Sequence, residues 1–166
     1  MTKTLLIILL SILLIQISCK KDSNEIATGI YFQSEYSNYA WVFTHAGYTI
    51  TPRGEVYIFN TMTPWSYERN DQISVDSLQK NINASIKFDT LISKAEINQY
   101  DNLTASAIRG TLSNEVYAGN DIGEMVCKVL VPDNSNPSIY HVYILTQKVI
   151  PKGTITLLSP GLLQIG

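Results

Sequence analysis

The chain has 166 residues, a formal net charge of −2 and 45% hydrophobic residues. This composition is ordinary for a globular protein, and the only run of basic residues is Lys20-Lys21. Nucleic-acid binding is therefore not expected, because affinity for a phosphate backbone requires clustered lysine and arginine side chains.

An apolar run opens the chain. It extends from Leu5 to Ile17, is interrupted only by Ser11 and Gln16, and follows the single charge of Lys3. A helix needs about 20 apolar residues to cross the hydrocarbon core of a bilayer. This shorter run predicts a secretory signal peptide over residues 1–18, and a transmembrane anchor is the alternative that it leaves open.

The run ends in Gln16-Ile17-Ser18-Cys19, and a polar stretch from Lys20 to Glu25 follows. This pattern resembles the lipobox of bacterial lipoproteins, with Gln16 at the position where leucine is usual. The polar stretch is similar to the tether of Bacteroidetes-type lipoproteins. The resemblance implies acyl chains such as palmitate on Cys19 and a membrane-anchored place in the cell envelope, at the outer membrane. Two or three chains would hold the protein permanently, since each buried methylene contributes about 0.8 kcal/mol.

Residues 19–28 then form a flexible tether, and residues 29–166 form a single domain. The first elements of that domain are two strands. Residues 47–51 and 55–59 alternate between apolar and polar side chains. Between them, Thr51-Pro52-Arg53-Gly54 has proline at the second and glycine at the fourth position of a type I turn. We therefore predict a β-hairpin.

The middle of the chain changes to helical spacing. Val75, Leu78 and Ile82 recur on one face behind Ser74, a suitable N-cap. Residues 86–89 alternate again and predict a short strand.

A second helix is predicted over residues 94–109. Ser93 and Glu96 have the spacing of a capping box, and Gly110 is expected to end the helix in a left-handed conformation. A kink or break is expected near Asp101-Asn102. The predicted apolar face consists of Ile97, Tyr100, Leu103 and Ala107.

The last third returns to strands. Residues 124–131 and 139–147 are predicted to form an antiparallel pair joined by a turn-rich loop, and residues 154–158 a further strand. The order of elements predicts an α+β fold. We expect an antiparallel sheet, built from the aromatic hairpin and the C-terminal strands, with one or two helices on one face.

A second resemblance lies in the segment AWVFTHAGYTITPRGEVYIF, residues 40–59. Its Gly47-Tyr48-x-Ile50 and Gly54-x-Val56-Tyr57 patterns are similar to those of small uncharacterised lipoproteins of Bacteroidetes-type bacteria. This resemblance implies no activity.

Catalytic and metal-binding motifs are scarce. The only histidines, His45 and His141, lack the local spacing of a metal-ligand pair, and the two cysteines form no C-x-x-C motif. We therefore predict no metal site and no cofactor. Ser77 and Lys80 match S-x-x-K without the partner motifs of penicillin-binding proteins. They are expected to be neighbours on a solvated helix face.

Cys127 lies in a strand-like apolar run and is expected to be a buried, inert thiol. Lys128 follows it and should lie on the opposite face of the strand.

Two acidic segments also lack a specific signal. Asp121 and Glu124 are expected to be solvated in a loop. The Asp133–Asn136 stretch resembles a calcium loop only superficially, because Ile144 stands where a bidentate glutamate is required. A polar turn is the expected structure.

Aromatic side chains are the best clue to a binding surface. Trp41, with Phe43 on its own face of a strand, is predicted to lie in the core. Trp65 and Tyr67 lie in a loop and are the predicted ligand-binding residues, because aromatic rings supply a large contact area at low entropic cost.

Three functions stay open. The first is a non-enzymatic binding or scaffolding module whose partner is an envelope protein or glycan. The second is a small envelope hydrolase that uses carboxylates, or His45 with a nearby acid. The third is an inhibitor or immunity-type lipoprotein. A pocket where histidines or paired acids converge would favour the hydrolase, and an exposed aromatic patch would favour binding.

Overall fold

Seven antiparallel strands form one sheet in the computed structural model, which describes residues 26–39, 42–110 and 123–150. The strands are β1 (Tyr31–Asn38), β2 (Thr44–Ile50), β3 (Glu55–Phe59), β4 (Gln72–Ser74), β5 (Ile86–Leu91), β6 (Gly123–Pro132) and β7 (Ile139–Ile150). The helices within these residues are α1 (Val75–Ala84) and α2 (Lys94–Ala107). The predicted α+β class is confirmed.

The strand order across the sheet is β4-β7-β6-β1-β2-β3-β5. The first strand of the domain is therefore central, with β2 on one side and β6 on the other. The predicted antiparallel pairs β2–β3 and β6–β7 are confirmed. The strand predicted at residues 154–158 lies outside the described residues.

The turn between β2 and β3 has the predicted geometry. The Gly54 amide donates to the Thr51 carbonyl at 2.8 Å, and the Thr51 hydroxyl accepts from the Glu55 amide at 3.2 Å. Gly54 has φ = 80°, and a Cβ there would lie 2.2 Å from the Ile92 carbonyl oxygen. Glycine is required at this position both for its backbone conformation and for space.

Helix α1 covers the main apolar core. Ser74 is its N-cap and accepts a hydrogen bond from the Ser77 amide, as predicted. Leu78 and Ile82 are one turn apart and buried. They join a core cluster with Tyr31, Tyr57, Ile73, Leu130, Tyr140 and Val142.

Helix α2 begins with the predicted capping box of Ser93 and Glu96, but its other features differ from the prediction. It continues through Asp101-Asn102 and ends at Ala107. Gly110 does not have a positive φ, and the C-cap, Ile108, stays in the right-handed helical region.

The apolar face predicted for α2 is also wrong in part. Ile97 is buried, but Tyr100 and Leu103 are 37% and 56% exposed. The second buried residue is Thr104, two turns after Ile97. Its hydroxyl donates to the Tyr100 carbonyl at 2.9 Å, so burial does not leave this polar group unsatisfied.

The helices contact opposite faces of the sheet and do not share one face. Leu78 of α1 packs with Tyr31, whereas the Tyr100 ring of α2 meets the Phe32 ring edge-on at 5.5 Å. Adjacent residues of a strand point to opposite faces, so each helix covers its own side. Neither described helix has the length and apolar character needed to cross a membrane.

Candidate functional site

Three ionisable side chains are buried near one end of the sheet, on the face that α1 also contacts. They are Glu35 on β1, His45 on β2 and Lys128 on β6, which are 8%, 2% and 5% exposed. The register explains why they meet: Gln33 lies opposite Lys128 and Ser37 lies opposite His45. Since alternate residues of β1 share a face, Glu35 lies between the two.

Lys128 is the centre of this buried network. Its Nζ contacts Oε1 of Glu35 and Oε1 of Glu68, which lies in the loop between β3 and β4. The second oxygen of Glu35, Oε2, lies 3.4 Å from Nε2 of His45. That oxygen also accepts a hydrogen bond from Nε2 of Gln33 at 2.7 Å.

These contacts outweigh the cost of burial. Burial alone raises the pKa of Glu35, but the hydrogen bond with His45 and the Lys128 ammonium bring this pKa below its ordinary value. Burial lowers the pKa of Lys128, whereas Glu35 and Glu68 raise it, and the net pKa is above the ordinary value. Glu35 and Lys128 therefore form a charged pair at neutral pH.

The network carries unequal charges. Glu35 and Glu68 supply a carboxylate each, whereas Lys128 supplies a single ammonium. His45, whose Nε2 faces Glu35, is the remaining ionisable member of the network. Counted without His45, the network has one more carboxylate than it has ammonium groups.

Aromatic rings enclose His45. Its ring centroid lies 5.0 Å from that of Phe59, 5.4 Å from that of Trp65 and 5.3 Å from that of Tyr67. Phe59 and Trp65 stack at 4.0 Å. The absence of a side chain at Gly47 makes room, because a Cβ there would lie 2.7 Å from the Phe59 ring. The imidazole of His45 is thus buried beneath the loop that carries Trp65.

That loop, residues 60–71, is held at several points. The Thr61 hydroxyl accepts from the His45 amide at 3.0 Å. The side-chain amide of Asn81 bonds both the amide and the carbonyl of Ser66, at 2.8 and 2.9 Å. Together with the Glu68–Lys128 contact, these bonds position Trp65 and Tyr67 by specific contacts to β2, α1 and β6.

Above the buried rings lies an exposed apolar surface, which we name the distal patch. Tyr67 is 49% exposed, Phe43 39% and Tyr39 73%. The Tyr39 and Phe43 rings are 5.1 Å apart, and Phe43 stacks on His45 at 6.2 Å. Val42, which precedes Phe43, and Met62, in the loop that carries Tyr67, are also exposed, at 77% and 92%. Such groups of exposed large apolar residues mark interaction surfaces.

The two predicted ligand-binding residues differ in their roles. Tyr67 is exposed and belongs to the distal patch. Trp65 is only partly buried, but its ring stacks on Phe59 and so supports the patch from below. The predicted core face of Trp41 and Phe43 is wrong at Phe43, which precedes β2 and is exposed. Trp41 and Cys19 lie outside the described residues.

The other candidate residues are not brought to this site. The imidazole of His141 bonds Oδ2 of Asp133 at 3.0 Å. Cys127 lies on the face opposite Lys128, as predicted, but it is partly and not fully buried, and its thiol lies 3.7 Å from the Ser34 hydroxyl. The Ser77 hydroxyl accepts from the Ser74 hydroxyl at the start of α1, so it is part of the cap.

The acidic segments form local structure. Oδ1 of Asp133 accepts hydrogen bonds from the amide and the hydroxyl of Ser135 at 2.7 and 2.6 Å, which is the expected polar turn. The Ser135 and His141 contacts hold the pKa of Asp133 well below its usual range. The expectation of a solvated loop is wrong for Glu124, which is partly buried in β6 and accepts from the side-chain amide of Gln147 on β7. Asp121 lies outside the described residues.

A cleft of about 290 Å³ lies between α2 and the β2–β3 turn. It is lined by Pro52, Arg53, Lys94, Ile97, Asn98 and Asp101. Burial raises the pKa of Asp101, and its Oδ1 has no hydrogen-bond partner among the described residues. Neither His45 nor His141 reaches this cleft. Within the described ranges no three His, Cys, Asp or Glu side chains converge as metal ligands would.

Sequence reasoning missed Glu35, Glu68 and Lys128. One signal was present: Lys128 interrupts an otherwise apolar strand between Val126 and Leu130, on their face. A lysine at such a position is almost never fully buried unless it is paired. This pattern predicts a buried acidic partner but does not identify it.

Comparison with known proteins adds no relative. The chain matches no protein-family model, no curated protein and no solved structure at a significant level.

Proposed function

We propose that this protein is a lipid-anchored, non-enzymatic binding module of the bacterial cell envelope, and that the distal patch contacts its partner. The observation that carries this proposal is the exposure of Tyr39, Phe43 and Tyr67 on a base of packed rings. Rigid, exposed aromatic rings bind with large contact area and little loss of entropy. An envelope protein and a glycan are the candidate partners, and an inhibitory role would use the same surface.

The orientation of the domain supports a partner outside the anchoring membrane. At the end of the predicted tether, residues 19–28, the Ile26 amide donates a hydrogen bond to the Gln79 side chain of α1 at 2.9 Å, and the Ala27 carbonyl accepts from the Tyr31 hydroxyl at 2.8 Å. The chain thus enters the domain at the start of β1, whereas the distal patch begins where β1 ends. Eight residues of strand separate these points by roughly 26 Å.

The anchor is tested by Cys19→Ala. In cells fed radiolabelled palmitate, the unaltered chain should carry label and the variant should not. Cys127→Ala is the matched control and should keep the label. Label that persists on the Cys19→Ala chain would refute lipid attachment at this residue.

A hydrolase that uses His45 is the competing function, and Glu35 does lie beside this histidine. However, His45 is 2% exposed and is enclosed by Phe59, Trp65 and Tyr67. A general base must come within hydrogen-bond reach of a substrate proton. The burial of His45 therefore favours the binding function over the hydrolase.

Binding is tested with a photoreactive phenylalanine analogue in place of Tyr67. The control carries the same analogue in place of Tyr143 on β7, which is 36% exposed. We expect a discrete crosslinked product in intact cells from position 67 alone, and its loss when Phe43→Ser is added. Equal products from both positions, or none from position 67, would contradict a role for the patch.

A further inference from the structure

The distal patch combines aromatic faces with negative charge, and it rests on the buried network. The ring of Tyr67 lies against His45, and the next residue, Glu68, has a side chain that is 27% exposed. Burial raises the pKa of Tyr67, and Tyr39, Glu35 and Glu68 raise it further, whereas Lys128 lowers it. The buried network and the exposed ring therefore act on the same small region. A ligand at the patch would meet a carboxylate beside ring faces.

The one lysine in the network is not available to neutralise a ligand. Lys128 is 5% exposed, and its ammonium already contacts both Glu35 and Glu68. The two carboxylates exceed it in charge. Arg69, which is exposed, and Asp71 follow in the same loop and contribute one formal charge of each sign. Counted formally over Glu35, Glu68, Asp71, Lys128 and Arg69, the charge is therefore −1.

We infer that the distal patch binds an arginine or lysine side chain presented by a polypeptide partner. This inference rests on the proposed binding function and names the chemistry of its partner. A cation over an aromatic face is attracted by the ring, and the attraction grows when the site is partly desolvated. Glu68 adds a charge of the complementary sign.

The remaining patch residues favour a polypeptide as the source of the cation. Val42 and Met62 are exposed apolar side chains in the segments that carry Phe43 and Tyr67, and such apolar area suits the aliphatic stem of arginine or lysine. Methionine, tyrosine and phenylalanine are the types enriched in protein–protein interfaces. An amine headgroup of the anchoring membrane is a poorer fit, because the tether joins the opposite end of β1.

The test uses the full chain in detergent micelles with fluorescent hexa-arginine and hexa-citrulline peptides. Citrulline keeps the shape of arginine and removes its charge. We expect the arginine peptide to bind about two- to thirty-fold more tightly, which corresponds to cation–π contributions of roughly 0.5–2 kcal/mol. We also expect its affinity to fall with added salt.

Paired variants locate the binding. Tyr67→Leu and Glu68→Gln should each lower the affinity for the arginine peptide by about three- to thirty-fold. The control variants Tyr143→Leu and Asp89→Asn should leave this affinity unchanged. Because Glu68→Gln also alters the buried network, its circular dichroism and melting curve are compared with those of Tyr67→Leu. Loss of binding in both variants with an unchanged fold supports the inference.

Three results would overturn it. Equal affinity for the two peptides would show that the patch does not recognise a cation. A patch-dependent crosslink at position 67 would still support the proposed binding function. Binding to phosphatidylethanolamine vesicles that depends on Tyr67 would assign the cation to a headgroup. Binding of the arginine peptide that appears only when residues 154–166 are deleted would show that the chain covers the distal patch itself.

Discussion

Glu35 and Lys128 form an ion pair in which both residues are more than nine-tenths buried. They belong to neighbouring strands, β1 and β6, whose register places Gln33 opposite Lys128. Removing one member of a buried pair leaves the other charge uncompensated, which costs more than the pair contributes. The stability of the pairing between β1 and β6 therefore depends on the charges of Glu35 and Lys128.

Lys128→Met should lower the free energy of unfolding by about 3–5 kcal/mol, because Glu35 would remain charged and buried. Urea unfolding followed by fluorescence measures this loss. Lys87→Met is the matched control, since Lys87 pairs with Glu55 at the surface and should matter little. The double variant Lys128→Met with Glu35→Gln should be more stable than Lys128→Met alone. A double variant that is less stable would argue against an uncompensated charge as the cause.

Acid should destabilise the protein partly through Glu35. Because the folded pKa of Glu35 lies below its ordinary value, its contribution is fully present above the unfolded pKa of about 4.3 and is lost as pH falls through the folded pKa. Unfolding free energies between pH 3 and 7 should therefore fall more steeply for the unaltered chain than for Glu35→Gln. Parallel curves would contradict this role. The pKa of Asp133 is also lowered, so Asp133 should contribute to the pH dependence that remains in Glu35→Gln. Adding Asp133→Asn to that variant should reduce this remaining pH dependence.

The capping box of α2 should contribute measurably. The Ser93 hydroxyl accepts from the Glu96 amide, and the Glu96 carboxylate accepts from the Ser93 amide at 3.1 Å. Ser93→Ala should destabilise the protein by about 1 kcal/mol, because an N-cap hydroxyl would be lost. Ser106→Ala, on an exposed position of the same helix, should be neutral. If both variants lose equal stability in thermal melts, the cap is not the reason.

The turn glycine can be tested against a second glycine. Gly54→Ala should destabilise the protein by more than about 1 kcal/mol, because Gly54 has φ = 80° and its Cβ would lie 2.2 Å from the Ile92 oxygen. Gly110→Ala should cost far less, since a Cβ there would lie 3.1 Å from the Ala107 oxygen and Gly110 lacks a positive φ. Chemical denaturation compares the two. A Gly54→Ala chain as stable as the unaltered one would show that the turn can rearrange.

Local features of the fold could be read from neighbouring residues. The Thr51–Gly54 turn, the Ser74 cap and the Ser93–Glu96 box depend on residues only a few positions apart. Strand alternation likewise predicted that Cys127 and Lys128 face opposite sides. The same reasoning failed on α2, where tertiary contact buried Thr104 in place of Tyr100 and Leu103. Periodicity identifies a helix but does not say which side the sheet will cover.

The sequence by itself determined β2, β3, β5, β6 and β7, the helix starts, the β2–β3 turn and the class of the fold, because each depends on short-range periodicity and capping. It did not predict the central strand β1 or the short edge strand β4. Only the tertiary structure decided the site. Ser34 and Cys127 are 93 residues apart and yet adjacent, and the pairing of β1 with β6 brings Lys128 to Glu35 in the same way. The loop that carries Trp65 and Glu68 then closes over His45. These contacts join residues that are far apart in sequence. They depend on the order of the strands in the sheet, which the spacing of neighbouring residues does not predict.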